Sequence, residues 1–292
     1  MKVVLPLAVV LVVSLTTSAQ TPLVITTEPN AIIWIDEIRR GSTDASGKLS
    51  LTKVSQGRHT VRVRASGFKE TTAVLLPGRR TLAVKLVSTT NQAELLFQQA
   101  ETAREKARDD ASRQNAVDLY REAIKLRPAF PAARVGLARI LLDLNEFKEA
   151  HAEIDAARRT RPSYPEASAV EGRIYREEAF DKEAISSFRR AIREAAGLQP
   201  EAYVGLAKVY EDKGQFEQAV AEYRKAIAQL SDSEPVIYQM LGAAYEKIEK
   251  PKEAVAAYEK YLELAPNGSY AAAIRSILEQ LKREAAGEQI IP

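Results

Sequence analysis

The stretch Glu201-Ala-Tyr203-Val-Gly-Leu206-Ala207-Lys208-Val-Tyr210-Glu-Asp212-Lys213-Gly214-Gln215-Phe216-Glu-Gln-Ala219-Val220-Ala-Glu-Tyr223-Arg-Lys-Ala226-Ile227 decides the fold. Tyr203, Leu206, Ala207 and Tyr210 recur at steps of three and four, which places them on one face of a helix. Lys213-Gly214-Gln215 breaks that helix, and Phe216, Ala219, Val220, Tyr223, Ala226 and Ile227 make a second stripe of the same period. The unit is therefore two antiparallel amphipathic helices joined by a tight turn. So short a pair cannot cover both its stripes, so such pairs must stack on neighbours.

The neighbours are in the sequence. Ala116, Ala150, Ala184, Ala219 and Ala254 follow one another at intervals of 34, 34, 35 and 35 residues, and four residues after each stands Tyr120, Ile154, Phe188, Tyr223 or Tyr258. Seven residues after the first four stand Ala123, Ala157, Ala191 and Ala226, with Tyr261 in the fifth place. Ala138, Gly172, Ala207 and Gly242 share one place in the first helices, which marks a close approach of backbones. Pro128, Pro162 and Pro266 close three of the units. Internal repetition at this period predicts a solenoid.

On these residues the segment from about 93 to 266 resembles an array of five tetratricopeptide repeats. The fullest phrase is Tyr203-x2-Leu206-Ala207-x2-Tyr210 followed by Ala219, Tyr223 and Ala226, with Phe147 and Phe216 three residues, and Phe180 four, ahead of their alanines. The first unit is poor in apolar residues in its first helix (Ala100, Ala103, Ala107), and Pro251 replaces the aromatic of the fifth. After Asn267-Gly268-Ser269, Ile274, Ile277, Leu278 and Leu281 make one more stripe, a helix over 269–285 that resembles the extra helix closing such arrays. A tail, 286–292, follows.

Ahead of the helices the period changes. Ile33-Trp34-Ile35, Leu49-Ser50-Leu51, Thr60-Val61-Arg62-Val63-Arg64 and Leu82-Ala83-Val84-Lys85-Leu86 are short, rich in β-branched residues and separated by Gly41, Gly47, Gly57, Gly67 and Pro77-Gly78. They predict a small antiparallel β-sandwich over 21–87. Glu28-Pro29-Asn30-Ala31-x-Ile33-x-Ile35-Asp36, Gly57-Arg58-His59-Thr60-Val61 and Ser66-Gly67-Phe68 resemble a PEGA domain, although Asn30 and Glu37 stand where that family usually has glycine. Thr43-Asp44-Ala45-Ser46-Gly47-Lys48-Leu49 resembles instead the hairpin of carboxypeptidase regulatory-like domains. Both families are sandwiches, and neither resemblance brings catalytic residues. The PEGA resemblance implies an interaction role in the cell envelope or at the surface. A polar connector, 88–92, joins the sandwich to the helices, with Asn91 and Glu94 spaced to cap the first of them. So short a connector lays the sandwich against the first helices.

Lys2 precedes an apolar run from Val3 to Leu15, and Thr17-Ser18-Ala19 supplies small residues for cleavage. Residues 1–19 thus read as a secretory signal, or, uncleaved, as a membrane anchor; the run is short for a span. The expected location is periplasmic or secreted, with no membrane span once the signal is removed. Of 292 residues none is cysteine, which excludes disulfides, thiol catalysis, thiolate metal sites and lipid attachment through a cysteine. The formal charge of +3, from 42 basic and 39 acidic residues, offers no field that recommends nucleic acid.

No phosphate-binding glycine loop, no Ser/His/Asp grouping and no zinc spacing occurs. The two histidines, His59 and His151, lie far apart, so no metal and no cofactor is expected, and catalysis has no supporting constellation. One pattern stands out. Glu105, Arg139, Arg173, Lys208 and Ala243 occupy one place in successive first helices, and in tetratricopeptide arrays that place faces the concave groove. Arg139, Arg173 and Lys208 form a basic ladder, with Arg176 one turn beyond and Val135, Ala169 and Val204 one turn before.

Equivalent residues of successive units lie about 10–20 Å apart, and an extended peptide rises ~3.3 Å per residue. A partner protein or peptide with carboxylates about three to six residues apart would match. The alternatives are that Asp143, Glu177, Glu211 and Asp212 neutralise these cations, or that the sandwich binds a wall glycan while the repeats act as spacer. Trp34, the only tryptophan, is the candidate sugar contact, although Ile33 and Ile35 beside it favour packing. The expectation is a non-catalytic envelope adaptor: a β-sandwich followed by an all-α superhelical solenoid.

Overall fold

The computed structural model describes residues 22–286 except 37, 53, 55, 56 and 231–233. The signal-like segment and the tail beyond residue 286 lie outside the described residues. Among the described residues nine strands come first in chain order: β1 (Leu23–Thr26), β2 (Ile32–Ile35), β3 (Ile38–Ser42), β4 (Lys48–Leu51), β5 (His59–Arg64), β6 (Phe68–Lys69), β7 (Thr71–Leu75), β8 (Thr81–Ala83) and β9 (Val87–Ser88). They form a three-stranded sheet β4-β1-β8, a four-stranded sheet β3-β2-β5-β7 and a short β6-β9 pair. All pairs are antiparallel except β1 with β8. The predicted strand over 82–86 survives only at its start, in β8, while Val84 and Leu86 still bury their side chains.

Alternation sets the core. Leu23, Ile25, Ile33, Ile35, Val61 and Val63 point inward, so Trp34, Arg62 and Arg64 lie on the opposite face of the larger sheet, Trp34 directly across from Arg62. A register irregularity between Ile33 and Trp34 bends β2 against β3. The turn before β4 is held by the Asp44 carboxylate, which accepts from the amides of Ser46 at 2.8 Å and Lys48 at 2.9 Å. Gly47 there has φ +75°, and a Cβ would overlap the carbonyl of Thr27. Thr43, buried, donates to the carbonyl of Glu28 at 2.7 Å and accepts from the amide of Ala31 at 2.8 Å.

Eleven helices follow among the described residues: α1 (Gln92–Lys106), α2 (Asp110–Leu126), α3 (Pro131–Asp143), α4 (Phe147–Thr160), α5 (Pro165–Glu177), α6 (Asp181–Glu194), α7 (Pro200–Asp212), α8 (Phe216–Leu230), α9 (Val236–Lys247), α10 (Pro251–Leu264) and α11 (Ala271–Ala286). Proline begins α3, α5, α7 and α10, where its fixed φ suits the first turn and its missing N–H costs nothing. Pro251 therefore starts a helix where units two and four place an aromatic. Asn91 caps α1 by accepting from the amide of Glu94 at 3.1 Å, while the Glu94 carboxylate turns to Arg127 at 2.9 Å instead of closing a capping box.

Within units two to five the helices are joined by a turn with one left-handed residue: Asn145, Ala179, Gly214 and Glu249, φ 55–70°. These recur with the repeat, and only at Gly214 does glycine relieve the strain. The small residues fit the aromatics. Phe188, fully buried, lies between Gly172 of its own unit, where a Cβ would come within 2.7 Å of the ring, and Gly205 of the next, where a Cβ would overlap it. Gly136 faces Tyr120 in the same way. Where the second helix carries the smaller Ile154, the place of Gly136 and Gly205 is taken by Val170.

Candidate functional site: the concave face and its two cavities

The first helices α1, α3, α5, α7 and α9 form the inner wall of the array, and the sandwich lies against that wall rather than on its first unit alone. At the near end Gln98 of α1, 6% exposed, accepts from the amide of Gly67 and donates to the carbonyl of Phe68, both at 2.9 Å. Arg64 pairs with Glu101 at 3.4 Å and packs its guanidinium against Phe97, 4.7 Å from the ring centre. At the far end Arg40 donates to the carbonyls of Gln229 at 3.3 Å and Leu230 at 3.5 Å, at the C-terminus of α8.

Two cavities result. The first, about 290 Å³, lies between the sandwich and the first repeats, lined by Trp34, Arg62, Arg64, Phe97, Val135 and Arg139 among others. Its charges are largely matched. Arg64 also pairs with Glu70 at 2.7 Å, and the Tyr120 hydroxyl donates to Glu101. Burial opposes ionisation of Glu101, but the charges of Arg104 and Arg64 and the Tyr120 hydroxyl more than offset it, holding its carboxyl below the ordinary range. The second cavity, about 530 Å³, lies beyond Arg39 over α5, α7 and α9. Its walls are Arg173, Arg176, Lys208 and Glu201 together with Val204, Ile237 and Met240.

The basic ladder thus divides. Arg139 makes a two-pronged pair with Glu201, 2.8 Å on each prong, tying α3 to α7 across the groove. Burial opposes both charges, but each partner stabilises the other, so the guanidinium pKa rises and the carboxyl pKa falls. Arg173 stands 3.7 Å from both Asp143 and Glu201, and Arg176 pairs with Asp212 at 2.7 Å and Glu177 at 2.9 Å. Glu211 is spent on the Tyr223 hydroxyl, which donates at 2.8 Å. Lys208, partly buried, makes no ion pair or hydrogen bond within the described residues. Burial first, then the charges of Arg176 and Arg173, lower its pKa by more than the carboxylates of Glu211 and Glu177 raise it.

Of the residues one turn before the ladder, Val204 lines the open cavity, Val135 is buried facing the covered one, and Ala169 is fully buried and presents no surface to a partner. Trp34 has the Arg62 guanidinium 4.2 Å over its ring and that of Arg64 at 5.1 Å. His59 contacts Asp36 through Nδ1 at 2.6 Å, and His151 contacts Glu178 through Nε2 at 2.8 Å. Among the described residues no three His, Cys, Asp or Glu side chains gather as a metal site would need. No helix among them is long and apolar enough to cross a membrane.

Sequence reasoning missed Glu201, the counter-ion of the ladder, and Ile38 and Arg40, which carry the sandwich to α8 and α9. Glu201 did leave a trace, since Glu166 stands 35 residues earlier at the same place in its unit. Nothing local marked Ile38 or Arg40.

Residues 107–174 and 198–267 match family models of the tetratricopeptide repeat. No curated protein matches the chain. In fold the chain is similar to a thermophilic tetratricopeptide protein of Thermus thermophilus, with TM-score 0.54 and 21% identity over 65% of this chain and 98% of that one. It is also similar to PilW, described as a widely conserved type IV pilus biogenesis factor (TM-score 0.56, 15% identity, 68% and 90% of the two chains). PilF of Pseudomonas aeruginosa is a third (TM-score 0.55, 15% identity, 68% and 88%). The helical part is a tetratricopeptide solenoid, and a β-region precedes it.

Proposed function

We propose that this chain is a non-catalytic scaffold that recruits a partner protein through the open half of its concave face. The observation that carries this reading is Lys208: a partly buried ammonium that makes no ion pair among the described residues, in a 530 Å³ cavity whose other walls combine Arg173 and Arg176 and the carboxylates Glu177, Glu201 and Glu234 with Val204, Ile237 and Met240. A segment bearing carboxylates beside apolar side chains would supply the missing charge and cover the apolar floor. Because the solenoid holds these side chains in place beforehand, little ordering accompanies binding. The signal-like residues 1–19 support an envelope setting, periplasmic or secreted, and the PEGA-like phrases agree with it. Trp34 is better explained as a platform for Arg62 and Arg64 than as a sugar contact, since guanidinium already covers its ring.

The test is site-specific photocrosslinking in cell envelope, with the crosslinking residue placed at Val204 and, as control, at the exposed Lys182 of α6. The expected outcome is a protein captured from Val204 alone and lost when Arg173→Glu and Lys208→Glu are added to a chain of unchanged helicity. Equal capture from both positions, or capture indifferent to the charge reversals, would overturn the reading.

A further inference from the structure

Strand β3 sends its side chains into the solenoid. Ile38, 7% exposed, is absent from the sandwich's own core and belongs to the apolar cluster of Leu230, Ile237, Leu241 and Ala207. Two residues on, Arg40 reaches the carbonyl end of α8, where the last C=O groups lack intrahelical partners and the helix dipole favours a cation. Burial nonetheless lowers the Arg40 pKa, against the pull of Asp36, so this cation is held at some penalty. Between them Arg39 pairs with Glu105 at 2.9 Å and borders both cavities.

Among the described residues the far contact includes Ile38 and the hydrogen bonds of Arg40, at 3.3 and 3.5 Å. Cavities of about 440 Å³, between Asp36 and Thr60 and the loops at Ser163 and Leu198, and about 170 Å³, between Ile38 and Arg40 and Gln229, run along it. Both are open to solvent, so water reaches the seam beside Ile38 and Arg40. The near end has its own cleft of about 290 Å³ but is bonded more closely, Gln98 holding Gly67 and Phe68 at 2.9 Å, and only residues 89–91 separate β9 from α1.

We infer that β3 is a latch on the concave face, anchored through α1 and releasable at α8–α9, and that Ile38 and Arg40 occupy the solenoid as its own internal ligand. Leu230 and Ile237 both hold Ile38 and line the open cavity. If the groove reading above is right, a partner settling there contends with Ile38 for the same side chains, and binding is coupled to release of the latch.

The latch is testable without any partner. Because the chain has no cysteine, spin labels at Ala45→Cys in the sandwich and Lys252→Cys in α10 report one distance in the full chain by pulsed electron resonance. The wild-type background is expected to show a single dominant distance. Ile38→Ser with Arg40→Gln is expected to add a second, longer population and to shift Trp34 emission to the red, with helicity retained. Leu230→Ser, which alters the solenoid side of the same contact and leaves the sandwich intact, is expected to do the same. An unchanged distance distribution in both variants, or a broad one already in the wild-type background, overturns the latch. Groove binding, read by Lys208→Glu against a captured partner, stands or falls separately.

Discussion

Arg139 and Lys208 hold the same place in units two and four, and their surroundings have nothing else in common. Arg139 lies under the sandwich, carries a two-pronged bond to Glu201 and has its charge stabilised. Lys208 lies beyond the sandwich, has no counter-ion in contact among the described residues and has its charge penalised by burial and by Arg176 and Arg173. The covered half of the concave face has satisfied its own charges and works as structure. In the open half a cation lies beside the partly buried Val204 and Met240, the condition for recruiting something from outside. One repeat position therefore serves two purposes, and what decides between them is the sandwich and a carboxylate 62 residues away.

The largest expected effect lies beneath the open half. Phe188→Ala removes a ring that two glycines were shaped to accept and should cost about 3–5 kcal/mol, read by denaturant unfolding with helicity monitored. A loss below about 1 kcal/mol would show that this floor is less tightly packed than Gly172 and Gly205 imply. The two rungs come next. Arg139→Ala leaves Glu201 half-buried without its main partner and should cost about 2–3 kcal/mol. Lys208→Met should change stability by less than about 0.5 kcal/mol or raise it. Equal losses at the two positions would erase the distinction between the halves.

Acid should act on the ion pairs that tie the concave face together. Glu201 and Glu101 have folded pKa values below the usual one. The stability they contribute is complete above the ordinary glutamate value of about 4.3 and is lost as pH falls through the depressed folded values. Melting temperatures taken from pH 6 down to pH 3 should therefore fall less steeply in Glu201→Gln than in wild type; parallel curves would place the acid-sensitive groups elsewhere. The smallest effect is expected at the rim. Glu105→Ala breaks an exposed pair with Arg39 and should cost no more than about 0.5 kcal/mol.

The solenoid was legible because its signal is redundant: five alanines and the residues four places on repeat one geometric requirement, the crossing of two helices. The inward residues of β5 were legible from alternation, whereas the unbroken apolar run of β2 did not say which face Trp34 takes. Strands β1, β3 and β7 were not singled out: β3 has one apolar residue in five, and Leu23-Val24-Ile25 and Ala73-Val74-Leu75 are runs of three without alternation. The ladder itself was visible, but its division was not. Glu201 meets Arg139 only because α3 and α7 curve toward each other, and Ile38 reads as one more strand residue until β3 is laid against α8 and α9. Pairings set by superhelical curvature and by domain docking leave no period in the chain. The left-handed turn residues Asn145, Ala179, Gly214 and Glu249 share a repeat place yet differ in chemistry, so composition concealed them.

The most direct test of the divided groove is isothermal titration of one segment, that recovered by crosslinking at Val204, into the wild-type, Lys208→Glu and Arg62→Glu chains. The account predicts affinity weakened about tenfold or more, ~1.4 kcal/mol, by Lys208→Glu in the open half, and left within about twofold, ~0.4 kcal/mol, by Arg62→Glu in the covered half. Equal weakening by both reversals, or none by Lys208→Glu, would contradict it.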